Sequence, residues 1–175
     1  MIFLETKLSG AYIVEIEKIE DERGFFARTW DKKEFYKMGL DSEFVQFNIS
    51  QNKKKGTIRG MHYQEKQYKE SKIVACTKGR IFDVIVDLRP NSKTFKKWIS
   101  IELSKNNYKM LYVPKGFAHG FQTLEDNSEV FYQISQYHNS ESSRGIRWND
   151  KTFQIKWPLD VTVISQKDSS NPMFS

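Results

Sequence analysis

Between residues 58 and 157 the dominant pattern is apolar alternation with a period of two. Such a pattern lines one face of an extended strand and leaves no coherent stripe on a helix. In residues 81–88, Phe82, Val84, Val86 and Leu88 fall on one side, and Ile81, Asp83, Ile85 and Asp87 on the other. Ile99, Ile101 and Leu103 alternate with Ser100 and Glu102, and Val130, Tyr132 and Ile134 share one side of residues 129–136. Each segment is expected to bury one face. Turn-forming clusters separate them: Lys78-Gly79, Arg89-Pro90-Asn91-Ser92, Lys105-Asn106-Asn107, Lys115-Gly116 and Asp126-Asn127. Short strands punctuated in this way predict an all-β antiparallel sandwich or barrel. Only residues 31–38 read as a helix, with Asp31 as cap and Gly39 just past the end. With 175 residues and no linker or repeat, the expectation is a single domain over residues 1–175 with short helical decorations.

Composition narrows the function classes. The first seven residues, Met-Ile-Phe-Leu-Glu-Thr-Lys, place an acid at position 5, and no 18-residue apolar run follows. A soluble, cytoplasmic protein without a membrane partner is therefore expected. The net charge of +6 could suit an anionic ligand. Its basic residues are interspersed with acids, and the Lys53-Lys54-Lys55 run lacks interleaved aromatics, so nucleic-acid binding is not expected. Cys76, the single cysteine, sits among Ile73, Val74 and Ala75 and reads as a core thiol.

The segment Pro114-Lys115-Gly116-Phe117-Ala118-His119 resembles the PxGxxH core of the second cupin motif, and Gly56 followed by His62 resembles the opening G-x5-H of the first. The remaining ligand positions of a metal-binding cupin hold Gln64 and Lys72. An ammonium in place of an anionic ligand opposes a divalent cation, so neither a metal nor another cofactor is expected. A pocket lysine can instead stabilise an oxygen that gains negative charge, as a Lewis acid would. An oxygen gains such charge when a proton leaves the carbon beside a ketone. Lys72 beside a histidine base thus suggests enolate chemistry.

Six blocks in order then resemble the dTDP-4-dehydrorhamnose 3,5-epimerase family: Asp21-Glu22-Arg23-Gly24-Phe25-Phe26, Phe44-Val45-Gln46-Phe47-Asn48, Ile58-Arg59-Gly60-Met61-His62-Tyr63-Gln64, Phe82-Asp83-Val84-Ile85-Val86-Asp87-Leu88-Arg89, Pro114-Lys115-Gly116-Phe117-Ala118-His119-Gly120-Phe121 and Trp148-Asn149-Asp150. The resemblance implies a cupin-type jelly-roll barrel and a homodimer in which an N-terminal strand joins the partner's sheet. It implies a nucleotide-sugar substrate similar to dTDP-4-keto-6-deoxyglucose, epimerised without a cofactor at C3, C5 or both. His62 matches the base, Asp168 its carboxylate partner, Tyr132 the acid and Lys72 the lysine near the 4-oxygen. Arg23 and Arg59 resemble diphosphate-contacting arginines, a role that a planar guanidinium suits. Gln46 and Asn48 resemble residues near the nucleoside; Phe25, His119, Tyr137, His138 and Lys167 complete the implied binding set.

Strict alternation places Arg59 on the face opposite His62. Either Gly60 marks a bulge that re-aims one of them, or Arg59 serves a neighbouring site. Departures from the family pattern gather toward the presumed nucleoside end: His138 holds a second aromatic place, Ser140 a proline place, Ser143 a glutamate place and Arg28 a glutamate place, while Phe47 and Ile49 replace more polar residues. Alternatives are an epimerase acting at one centre or on another nucleotide, a 3,4-ketoisomerase, a cupin module that binds nucleotide sugars without turnover, and a metal-dependent cupin.

Overall fold

The computed structural model describes residues 1–174. Its strands are β1 (Ile2–Glu5), β2 (Tyr12–Glu15), β3 (Ile19–Asp21), β4 (Gly24–Phe26), β5 (Gln46–Asn52), β6 (Ile58–Gln64), β7 (Lys72–Lys78), β8 (Arg80–Asp87), β9 (Trp98–Ser104), β10 (Met110–Val113), β11 (Phe117–Thr123), β12 (Ser128–Ile134) and β13 (Ser143–Gly145). Helix α1 (Lys32–Lys37) starts at Asp31, whose carboxylate accepts from the backbone N–H of Lys33 and Glu34, and Gly39 follows its end with a φ of 70°. Helix α2 (Gln166–Ser169) is a single turn capped by the Ser165 hydroxyl. Among the described residues no helix is long and apolar enough to cross a membrane.

The strands pair antiparallel in two main sheets. One runs β1-β2-β10-β7-β12-β5, the other β13-β6-β11-β8-β9, and β3-β4 forms a separate hairpin. Their inner faces meet in one core: Val74 and Cys76 of β7, Leu111 and Val113 of β10 and Val130 of β12 pack with Ile81 and Ile85 of β8, Leu103 of β9, and Phe117 and Phe121 of β11. This is the cupin-type jelly roll that the motifs imply, and its register puts Val130, Tyr132 and Ile134 on one face, as alternation requires.

Alternation misleads on β8. Its second face is also buried: Val84 and Val86, with Ala118 and Met61, lie beneath Ile146 and Phe153 of the C-terminal segment. Alternation reports which residues share a face; it does not report what later covers that face. Burying each valine there contributes about 2 kcal/mol. Strands β1 to β4 are three or four residues long, too short for a periodic signal. Phe35 of α1 packs with Val14, Ile73, Met110 and Tyr112, covering the outer face of the first sheet near β2 and β10.

Candidate active site

Two adjoining cavities of about 420 and 260 Å³ open between the sheets and share Asn48, His62, Lys72 and Ile134 as walls. The larger is also lined by Gln46, Tyr63, Gln64, Glu70, His138, Ser143 and Lys167; the smaller by Ser50, Arg59, His119, Phe121 and Tyr132. Strands β6 and β11 deliver His62, Arg59 and His119 from one sheet, and β5, β7 and β12 deliver Gln46, Asn48, Lys72 and Tyr132 from the other.

His62 Nε2 lies 2.6 Å from Asp168 Oδ1, and the second carboxylate oxygen accepts the Gly60 N–H at 3.1 Å. The tail reaches this point because it runs beside the start of β6: Ile58 N–H donates to the Val163 carbonyl, and Thr162 N–H to the Gly56 carbonyl. Helix α2 then turns Asp168 inward, leaving it 4% exposed, whereas the His62 side chain remains 42% exposed to the cleft. Burial pulls the Asp168 pKa upward. The His62 hydrogen bond and charge, with the Gly60 N–H, outweigh it and hold the carboxyl below its ordinary value. An ionised carboxylate against one imidazole nitrogen fixes the orientation of the ring and which nitrogen faces the cleft.

The Arg59 question resolves as a bulge. His62 pairs with His119 across β6 and β11, while Arg59 pairs with Phe121, so three steps on β6 match two on β11. The offset brings Arg59 and His62 to the same cavity. Gly60 makes it possible: a Cβ there would lie 2.6 Å from Gly120 Cα, and its φ is 122°. Arg59 is steadied by Asn52 Oδ1, which accepts from its Nε at 2.7 Å.

Lys72 is 9% exposed, and its Nζ lies 2.9 Å from Glu70 Oε1. Tyr132 meets the His119 ring edge-on at a centroid distance of 6.0 Å, and His119 Nε2 lies 2.8 Å from Asp83 Oδ1 in the core. Burial, followed by the nearby Asp83 charge, pushes the Tyr132 phenol well above its ordinary value, so it keeps its proton through the physiological range. The arrangement offers a base with a carboxylate behind it, a phenol donor from the facing sheet and an ammonium at the same cavity.

The family model for dTDP-4-dehydrorhamnose 3,5-epimerase matches residues 5–175. The chain belongs to the dTDP-4-dehydrorhamnose 3,5-epimerase family. A family member from Shigella flexneri is 40% identical over 175 residues, covering 99% of this chain and 96% of that protein. The solved family structure from Elizabethkingia anophelis NUHP1 superposes with a TM-score of 0.96 at 40% identity, covering 99% of this chain and 96% of the other. Another, from Bacillus anthracis str. Ames with TDP and PPi bound, gives 0.95 at 40% identity and covers 99% of each chain.

Set beside the dTDP-4-dehydrorhamnose 3,5-epimerase pattern, His62, Asp168, Tyr132, Lys72, Arg59, Gln46, Asn48, His119, His138 and Lys167 gather at the cleft. Three residues of the expected binding set do not. Arg23 is exposed at the tip of the β3-β4 hairpin, where it pairs with Asp21. Phe25 packs edge-on against Tyr108, 5.0 Å between centroids, and Lys18 lies over both rings. That anchor holds the hairpin away from the cleft of its own chain. Tyr137 is 61% exposed, and its contribution is a backbone carbonyl that accepts from Gln64 Nε2.

Sequence reasoning also missed residues. Asp83 carried a partial signal: alternation puts it on one face with Ile81 and Ile85, and the structure makes that face the inner one. Glu70 carried none: among Glu65, Lys66 and Lys69 it reads as one more solvated charge.

Proposed function

We propose that this chain inverts C3 and C5 of a dTDP-4-keto-6-deoxy sugar, converting dTDP-4-keto-6-deoxyglucose to dTDP-4-keto-rhamnose without a cofactor. His62 takes the proton from the carbon beside the ketone; the C–H electron pair forms the enolate double bond and the charge moves to O4. Asp168 stabilises the imidazolium that results. The Lys72 ammonium holds O4 as it becomes anionic, a contribution of about 3–4 kcal/mol for one such donor. Tyr132 then delivers its proton to the opposite face of the same carbon, the carbonyl re-forms, and the configuration is inverted. Protons move only between side chains, sugar and water, so no oxidant or reductant is consumed.

The observation that carries this reading is the placement of His62, Lys72 and Tyr132 around one cavity, with base and acid contributed by facing sheets. Inversion needs a base on one side of the ring and a proton donor on the other. Arg59 at the smaller cavity suits a diphosphate oxygen, and Gln46, Asn48, His138 and Lys167 line the larger cavity toward a nucleoside.

The working unit is proposed to be a homodimer of single-domain chains in the cytoplasm. Strand β5 is an edge strand that carries Phe47, 58% exposed and edge-on to Phe131, and Ile49, 65% exposed. An unpaired edge carrying exposed apolar side chains favours pairing with a second copy. Exchange of N-terminal segments across that edge would bring Arg23 and Phe25 to a partner's cleft. Within one chain β1 already pairs with β2, whereas the β3-β4 hairpin belongs to neither main sheet, so the hairpin, held at its base on Tyr108, is the segment that would reach the partner.

Incubating the chain with dTDP-4-keto-6-deoxyglucose and trapping the product with an NAD(P)H-dependent 4-ketoreductase tests the reading. A dTDP-rhamnose product is expected. A sugar inverted at one centre would assign a single-centre epimerase, a migrated ketone a ketoisomerase, and saturable binding without turnover a binding module.

A further inference from the structure

Lys72 is a point charge on a flexible four-carbon stem with three rotatable donors. To hold an enolate oxygen it must be in place before charge develops. Among the described residues its one ion pair is with Glu70 Oε1, 2.9 Å from Nζ with both side chains 11% exposed, and the buried Asp83 charge lies farther off. The other oxygen of Glu70 accepts from Gln64 Nε2 at 2.5 Å. Gln64 is itself tied at every polar atom. Its two amide N–H groups are shared among Glu70 and the carbonyls of Tyr68 and Tyr137, and its Oε1 accepts the Asn139 N–H at 2.7 Å. His138, between those two contacts, donates its backbone N–H to Gln46 Oε1 at 2.7 Å. A continuous set of hydrogen bonds therefore runs from the ammonium to the segment that lines the nucleoside end of the larger cavity.

We propose that Glu70, held in place by Gln64, is the positioning residue of the Lys72 ammonium. The inference rests on the reading of Lys72 as the enolate-holding group. Glu70 acts through Lys72 and touches no reacting atom. With one N–H held by Glu70, two donors remain for the sugar oxygen. The carboxylate charge offsets part of the pull on the enolate. The positional gain is larger, because a reacting group displaced by about 1 Å can lose about 10²-fold in rate.

The test compares the native chain with Glu70→Ala, Glu70→Gln, Lys72→Ala and the Glu70→Ala/Lys72→Ala double variant, reading proton exchange into dTDP-4-keto-6-deoxyglucose and dTDP affinity by calorimetry. Glu70→Ala should lower kcat by about 10- to 100-fold with KM and dTDP affinity changed less than about threefold. Glu70→Gln should fall between, since a single amide oxygen can serve Lys72 or Gln64 but not both. In the Lys72→Ala background, Glu70→Ala should cost less than about twofold more. Native or raised kcat in Glu70→Ala overturns the proposal, as does an equal loss in both backgrounds. If Glu70→Ala does not fold, Glu70→Gln in the two backgrounds makes the same comparison. A native chain that exchanges no proton overturns the functional reading itself, which separates the two failures.

Discussion

The His62 imidazole and the Tyr132 phenol come from facing sheets and line one cavity of about 260 Å³. The proposed base and acid have different addresses in the fold and should be separable by mutation. His62→Ala removes proton abstraction, so exchange and inversion should both fall, by about 10²- to 10⁴-fold. Tyr132→Phe keeps the base and loses the donor on the other side. Solvent exchange should persist with retained configuration, while inverted product falls about 10²-fold or more. Mass spectrometry for label and trapping for configuration distinguish the two variants; identical losses of both signals would contradict separate roles.

Gly60 holds the bulge that brings Arg59 and His62 together. An added Cβ would press on the Gly120 backbone, and that backbone cannot swing aside as a long side chain can. Gly60→Ala should therefore lower stability by about 3 kcal/mol, combining a strained φ with overpacking. Urea denaturation checks this. Activity should fall further than Arg59→Ala alone, because the histidine is re-aimed as well.

Much of this was legible in the chain. Alternation found β8, β9 and β12, and Asp31 with Gly39 bracketed the one longer helix. Cys76 was read as a core thiol; it is buried, and desolvation pushes its pKa up to about 11. The bulge at Gly60 was one of two options that alternation left open, and only register distinguished them. The positions of Arg23 and Phe25 depend on the contact between a hairpin and Tyr108, 83 residues beyond Phe25 in sequence, and no local pattern encodes that. Glu70 was hidden for a different reason: its ion pair with Lys72 is formed by a loop returning over the cleft, so its composition looks like ordinary surface.

Asp87 supplies a pH-dependent part of the stability. Burial pulls its pKa up, but Arg89, Ser92, Thr94 and the Arg89 N–H outweigh that and lower it from 3.8 to about 2. A carboxyl depressed in this way contributes stability above its unfolded value near 4, and the contribution is lost as pH falls toward 2. Asp87→Asn should cost about 2 kcal/mol at pH 7. The gap between native and variant should close between pH 4 and 2. Chemical denaturation at stepped pH measures it, and a gap independent of pH would contradict the assignment.

The most direct measurement is NMR of dTDP-4-keto-6-deoxyglucose incubated with the native chain in deuterated water. The account predicts that deuterium enters at C3 and C5, that both enter at catalytic rates, and that the labelled carbons carry inverted configuration. Proton signals at C3 and C5 that persist at the rate of the enzyme-free control would contradict it.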